Sequence, residues 1–414
     1  MEEANAQDRV RRLIFPLGSP SDRYDVVTVG AGVAGCEAAL EASEKNARVL
    51  LLEEHPQVGL PSHCSGVVSL KGLELLGLEA HSSFSQKLIH GARFYPPHGE
   101  PIEVRKKDPV ALILSRMKLD QFLAKQAVAA GAELRAKTRA SKFERTSDGG
   151  LLTLGDGSKV HTKVVIDASG AGSRLPEQAG LQTPDWAQIL PGLQYELVEM
   201  KEQGDLVELF FGSKRAPGFF AWSIPTGKNS ARVGLASKKG NVKKFLDDLA
   251  KEQWPKAIVD ATKSGSVLVA GPVSRCWSPG FIVVGDAAGQ VKQTTGGGIV
   301  IGGYCGKLAG IAAASAAAHV GVDSEQFLRD YDAKWREKFG SDLRKMGLAR
   351  KLFASLSDET LDRLFTVLRD NVSEIEEEGD MDFQGKIITR MLKKRKVATL
   401  LPRVAADAVK AIFS

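Results

Sequence analysis

A strand that runs into a Gly-x-Gly-x-x-Gly turn constrains this chain more than any other feature. Residues 24–29 read Tyr-Asp-Val-Val-Thr-Val, and Gly30, Gly32 and Gly35 follow. In such a turn the first glycine permits the tight bend, and the second lets backbone approach a pyrophosphate. The third lets the next helix pack on the strand. The helix N-terminus then offers free N–H groups to the phosphates. An apolar-periodic helix (Ala38, Ala39, Leu40, Ala42) leads to a second apolar strand over 48–52, which ends at Glu53. An acid about 20 residues past the glycines is placed to accept hydrogen bonds from a ribose. Strand, turn, helix, strand and acid in this order predict a β-α-β dinucleotide-binding unit.

A second strand points to the same ligand from far downstream. Residues 280–284 lead into Gly285-Asp286. An acid at that strand end can reach a ribityl hydroxyl, and a helix N-terminus after it can face the flavin pyrophosphate or pyrimidine ring. Three successive glycines, Gly296, Gly297 and Gly298, precede Ile299. Backbone of this kind can lie flat against a planar ligand with its N–H groups aimed at ring carbonyls. The alternative for the glycine run is a flexible loop. Together the two motifs predict FAD, held at both ends by one domain, and therefore redox chemistry.

The chain of 414 residues is long enough for two joined domains, and 43% hydrophobic with 26% charged residues marks a globular fold. The predicted class is α/β (α+β). A discontinuous cofactor domain is expected over 24–180 with 276–320, an antiparallel substrate sheet over 181–275, and a helical region over 321–414. Residues 1–23 read as an N-terminal extension without the apolar core of a signal peptide. Residues 55–115 read as a loop over the flavin plus short strands. A helix starting near Arg116 leads to a strand over 133–140, and the Gly155-Asp156-Gly157-Ser158 turn marks a hairpin. Cys36, Cys64, Cys276 and Cys305 show no Cys-x-x-Cys spacing, so neither a disulfide framework nor a metal site is indicated.

A net charge of +6 suits an anionic substrate or a negative membrane surface but is too small to argue for nucleic acid. No run of 18 apolar residues predicts a membrane span. The cysteine usage fits a cytoplasmic location. The basic run 393–396, next to an amphipathic pattern over 397–413, can lie on an anionic bilayer or be an ordinary solvated face.

Two further segments carry candidate chemistry. Cys64 lies in the polar, glycine-containing stretch 59–69, unlike the other three cysteines, which read as small buried hydrophobes. Its position soon after the ribose acid places a thiol near the flavin ring. Residues 219–225 form an aromatic strand in which Phe220 and Trp222 read equally as the lining of an apolar substrate tunnel or as core.

With these residues in view, the chain resembles the geranylgeranyl reductase family of FAD proteins, within the wider class similar to para-hydroxybenzoate hydroxylase. The resemblance covers roughly residues 24–410. It rests on 61–69 around Cys64, Arg116 with Asp120, 165–170, Gly285-Asp286 and 294–299, together with Tyr331, Trp335 and 379–382 in the tail. It implies FAD contacts at Ala34, Glu53, Cys64, Arg116, Ala140, Asp286, Gly298 and Ile299, with Ala140 resting on strand register. It also implies saturation of geranylgeranyl chains on membrane-lipid precursors. The family's Tyr-x-Trp-x-Phe followed by Gly-x-Gly reads here as Phe220-x-Trp222-x-Ile224 and Gly234-Leu235-Ala236, a departure that bears on the substrate. The same segment matches the second half of the Trp-x-Trp-x-Ile-Pro motif of flavin-dependent halogenases. Reducing an isolated C=C requires a hydride, a proton and a dry pocket, with Cys64 the candidate proton donor. No second dinucleotide fingerprint is present, so electrons are expected from a ferredoxin-like protein or transient NAD(P)H. The rival readings are an oxygen-using monooxygenase or halogenase acting on an aromatic substrate, and an electron-relay flavoprotein.

Overall fold

The computed structural model describes residues 23–319, 323–400 and 402–407. The N-terminal extension, apart from Arg23, and the last residues of the tail pattern lie outside these.

Six strands form the path of the first sheet, in the order Trp277–Ser278, Phe281–Val283, Lys159–Asp167, Arg23–Val29, Val49–Leu52 and Glu133–Arg135. All neighbours on this path are parallel except the first pair. Parallel strands covered on both faces read as unbroken apolar runs rather than alternation, which explains Val49–Leu52 and Phe281–Val283. Every residue of those two strands is buried. Register aligns Leu52 with Val29, Val29 with Asp167, and Asp167 with Val283. These four residues form one row at the carboxyl edge, so Glu53, Gly30, Ala168 and Val284 emerge side by side, with Gly285 one residue further on. Ligands of open α/β sheets bind at this edge.

The strand expected over 133–140 is two strands. Glu133–Arg135 joins the parallel sheet, Lys137 adopts a left-handed φ of 55°, and Ala140–Thr146 starts an antiparallel pairing with Gly149–Leu154. Apolar patterning does not signal a left-handed lysine.

The Val33–Glu44 helix packs against the long Ile299–Ala318 helix. The small residues of the latter permit close approach. A Cβ on Gly306 would stand 2.2 Å from the Ala34 carbonyl oxygen. By length and composition Ile299–Ala318 could cross a membrane, but 67% of its apolar window is buried inside the protein. Its other neighbour is the Asp323–Phe353 helix, which buries Tyr331, Trp335 and Phe339 completely.

The second sheet runs Ile258–Leu268, Ile189–Val198, Ala231–Ala236, Ala221–Pro225, Leu206–Phe210, Gly91–Tyr95 and Ile102–Arg105. Its last two strands come from before residue 110, outside the span 181–275 expected for it, and Leu206–Phe210 pairs with Gly91–Tyr95 in parallel. The rest is antiparallel. Val67–Ser69, at the end of the Cys64 segment, belongs to a three-stranded sheet with Ala111–Leu114 and Ser85–Ile89, which packs Ile89 and Ile113 against Val207 and Ile224 of this layer. Five helices from Asp323 to Ala398, and a further helical stretch over 402–407, follow.

Candidate functional site

One cavity of about 1700 Å³ opens at the carboxyl edge of the parallel sheet and continues beneath the second sheet. It exceeds the roughly 300–1,000 Å³ of a single small-ligand site, so it has room for a cofactor and a further ligand. Gly30, Gly32, Ala34, Glu53, Cys64, Arg116, Ala140, Asp286, Gly297, Gly298, Ile299, Phe220 and Trp222 all line it. Gly35 and Gly66 are not on its wall. A Cβ on Gly35 would meet the Gly30 carbonyl oxygen at 1.8 Å, so this glycine serves helix-to-turn packing. Gly66, at φ 80°, would push a Cβ to 2.2 Å from the Leu114 carbonyl oxygen, so it shapes the loop behind Cys64.

The cradle end fits an anionic dinucleotide. Two helices start at the cavity, at Gly32 and at Gly298, and neither N-terminus is capped by a side chain. Uncapped helix starts leave N–H groups and a positive dipole end for phosphates. A Cβ on Gly32 would have only Arg116 Nη2 nearby, at 3.8 Å, so the turn is open to a ligand. Glu53 is buried; its Oε2 accepts from Ala31 N at 3.0 Å and its Oε1 from His55 N and Nδ1 at 2.9 and 2.7 Å. These contacts fix the carboxylate at the cavity wall, where its spare lone pairs can take a ribose hydroxyl. Asp286 is open to the cavity yet deep inside the fold, and no described residue hydrogen-bonds its carboxylate. Burial raises its pKa above the ordinary aspartate value, and Arg116 opposes that shift. An unsatisfied carboxylate facing an open space suits a ligand hydroxyl. The residues present therefore fit FAD.

Arg116 begins the Arg116–Ala129 helix and makes a two-point ion pair with Asp120, both contacts at 3.0 Å. Burial opposes its charge, but Asp120 first, then Cys64 and Asp286, raise its pKa above the ordinary arginine value. Cys64 is half-buried, and its Sγ accepts a long hydrogen bond from Gly66 N at 3.4 Å. Cys36, Cys276 and Cys305 are fully buried, and burial pushes each thiol well up.

Several functional neighbours were missed in the sequence. Arg232 is buried and donates to the Ser65 and Leu114 carbonyls at 2.7 and 3.0 Å and to Gln86 at 2.7 Å, so it holds the Cys64 segment from behind. The signal was available: Arg232 is the lone charge in the apolar strand Ala231–Ala236. Buried Asp382 accepts from Ser69 and pairs with Lys292 at 2.8 Å. It thereby ties the 379–382 turn to the Cys64 segment and to the approach of the glycine run.

The far wall is aromatic. Trp222 lies across Gly234, where a Cβ would be 2.7 Å from the indole, and its Nε1 donates to Gln194 Oε1 at 3.1 Å. Phe220 stacks on Phe219 with ring centres 4.2 Å apart. Phe353, Phe365 and Leu368 from the C-terminal helices close this end. In the basic run, Lys394 pairs with Glu374 and Lys396 with Asp370, so two of its four cations are spent on packing this region.

Comparison with known proteins agrees with this geometry. A family model described as tryptophan halogenase matches residues 77–336, and one described as FAD binding domain matches 25–70. Digeranylgeranylglycerophospholipid reductase of Methanocaldococcus jannaschii is 33% identical over 383 residues, 89% of this chain and 96% of the relative. The crystal structure of a geranylgeranyl bacteriochlorophyll reductase-like protein from Thermoplasma acidophilum superposes with a TM-score of 0.82 at 27% identity, covering 92% of this chain and all of that one. CmlS, a flavin-dependent halogenase, superposes at 0.67 with 19% identity over 92% of this chain and 78% of its own, and shares the fold alone. The halogenase match thus marks the common flavoprotein architecture, and the near full-length relative from Methanocaldococcus jannaschii named above is a reductase. The chain belongs to the geranylgeranyl reductase family of FAD-dependent oxidoreductases.

Proposed function

We propose that this protein saturates isolated C=C bonds in geranylgeranyl chains of lipid precursors. The observation that carries the reading is the continuity of one cavity from the FAD cradle to a deep apolar, aromatic wall. An isoprenoid chain is apolar along its length and needs such a wall, whereas a small polar substrate does not.

Bound reduced FAD would supply a hydride to one alkene carbon. The other carbon needs a proton, and we assign it to Cys64 Sγ, which faces the cavity beside Arg116. Solvent then returns the proton to the sulfur. Arg232 positions this segment through the Ser65 carbonyl. Phe220 and Trp222 hold the chain and exclude water, which would otherwise compete at the reduced cofactor. Gly30, Gly32, Ala34, Glu53, Arg116, Ala140, Asp286, Gly297, Gly298 and Ile299 hold FAD, with Gly35 and Gly66 shaping the backbone behind them. Electrons come from a ferredoxin-like protein or NAD(P)H. The halogenase motif is broken at Phe220, which weighs against the oxygen-using reading. Leu392 is exposed and also lines the cavity, beside Lys393 and Arg395, and we place contact with an anionic membrane surface there.

Mass spectrometry of a geranylgeranylated lipid, incubated anaerobically with dithionite-reduced protein, tests this reading. A gain of about two mass units per saturated bond is expected from hydride-plus-proton addition. No gain with FAD bound and reduced would move the assignment to the oxygen-using or electron-relay alternatives.

A further inference from the structure

Arg350 stands out among the charged groups the reaction does not use. It lies near the end of the Asp323–Phe353 helix, is 8% exposed, and lines the main cavity. Its Nη1 donates to the Gly218 carbonyl at 2.5 Å, and its guanidinium sits 5.1 Å over the Phe219 ring. Its Nε is buried with no partner. No described carboxylate lies within ion-pair distance of it. Burial alone pushes its pKa down to about 10, so it stays charged at neutral pH.

Among the described residues the other buried cation, Arg232, is compensated, and so is the part-buried Lys292. Arg232 reaches the Ser65 and Leu114 carbonyls, Gln86 and, at 3.5 Å, Glu196; Lys292 has Asp382. A buried charge without a counter-ion is expensive, and a fold avoids it unless something outside the chain supplies the opposite charge. The Gly218 carbonyl and the helix C-terminus are dipoles, and they leave most of the guanidinium fork free.

We infer that Arg350 is an anion-binding group at the aromatic end of this cavity, away from the FAD cradle, and takes the phosphate head of the isoprenoid ligand. The surroundings select the ligand's shape. Phe219, Leu352, Phe353, Leu356 and Leu364 are apolar, so only the end of the ligand that meets the guanidinium can be charged. From Phe353, three residues along the helix from Arg350, a row of cavity-lining rings runs to Phe211 at 5.7 Å, on to Phe220 at 5.8 Å and to Trp222 at 6.2 Å. An anionic head at Arg350 therefore lays its hydrocarbon chain along the aromatic wall. The planar fork matches phosphate oxygens two at a time. This deepens the proposed function and rests on the reading that the cavity holds an isoprenoid chain.

Equilibrium binding to the oxidised FAD holoprotein tests the inference independently of turnover. The probes are geranylgeranyl phosphate, geranylgeraniol and inorganic phosphate, read by calorimetry for the wild type, Arg350→Gln and Arg350→Lys. The wild type should prefer geranylgeranyl phosphate to the alcohol. Arg350→Gln should weaken the phosphate ligand roughly 10- to 100-fold, the range of a charge-assisted contact, and leave geranylgeraniol unchanged. Arg350→Lys should keep part of the preference, because it retains a point charge without the fork. If Arg350→Gln does not fold, the lysine variant carries the comparison. Equal loss for both lipids would mean that Arg350 only ties its helix to Gly218, and an intact preference in the variants would also overturn the assignment. Inorganic phosphate binding as tightly as the lipid phosphate would assign the site to the free anion instead. Alkene saturation is assayed separately on both lipids. Phosphate preference without saturation would remove the reductase reading and leave the anion site standing.

Discussion

Glu37 offers a quantitative test of the helix pair that frames the cofactor cradle. It is buried on Val33–Glu44, facing Ile299–Ala318, and neither carboxylate oxygen has a hydrogen-bond partner. Lys307 Nζ stands 3.6 Å away and is shared with Glu41. Burial, reinforced by Glu41 and Glu44 and partly offset by Lys307, raises its pKa from 4.5 to about 7. Between these values the folded protein keeps a proton that the unfolded chain has released. The stabilisation is therefore complete below the unfolded pKa and is lost as pH rises through about 7. At about 1.4 kcal/mol per pH unit, the window is worth about 3 kcal/mol. Glu37→Gln abolishes this titration. Its stability relative to the wild type should therefore grow by roughly 2–3 kcal/mol between pH 5 and pH 8. Urea unfolding of both FAD-saturated proteins across that range gives the difference directly. Parallel stability curves, or a variant that loses ground as pH rises, would refute the reasoning.

Three further outcomes follow from the same geometry. Gly306→Val forces side-chain atoms against the Ala34 carbonyl, so it should destabilise by at least about 1–3 kcal/mol and release FAD, measured by the flavin-to-protein absorbance ratio. Cys64→Ala should retain FAD but lose most alkene saturation, and unchanged turnover would remove the thiol from the mechanism. Arg232→Gln strips the buried Leu114 carbonyl and the part-buried Ser65 carbonyl of their donor, at about 1–3 kcal/mol for the buried one. It should lower turnover while FAD stays bound, and thermal melting with a product assay would show whether stability falls with it.

The sequence made the cofactor end legible because its determinants are local. A strand, three glycines and an acid occupy one short stretch, and parallel pairing brings Gly285-Asp286 to the same edge. Ser115 also caps the Arg116–Ala129 helix where the sequence placed its start. What escaped depends on long-range pairing. The alliance of Gly91–Tyr95 with Leu206–Phe210 is a contact between distant segments that no periodicity encodes. Asp382 reads as one acid of a loop until the fold brings Ser69 and Lys292 to it. Arg350 carries no sequence signal of its own, and its isolation is visible only once the fold surrounds it with apolar residues. The basic run 393–396 reads from sequence as a bilayer-facing or a solvated face, and only the fold sets Glu374 and Asp370 opposite two of its lysines.

In the proposed reaction, electrons leave this cofactor site for an isolated double bond. Its most direct test is anaerobic mixing of the fully reduced holoprotein with a geranylgeranyl lipid, following flavin absorbance and the product by NMR together. Flavin reoxidation without oxygen is expected, with one double bond lost for each flavin oxidised. A flavin that stays reduced beside the lipid, and reoxidises only when oxygen or a quinone is admitted, would contradict it.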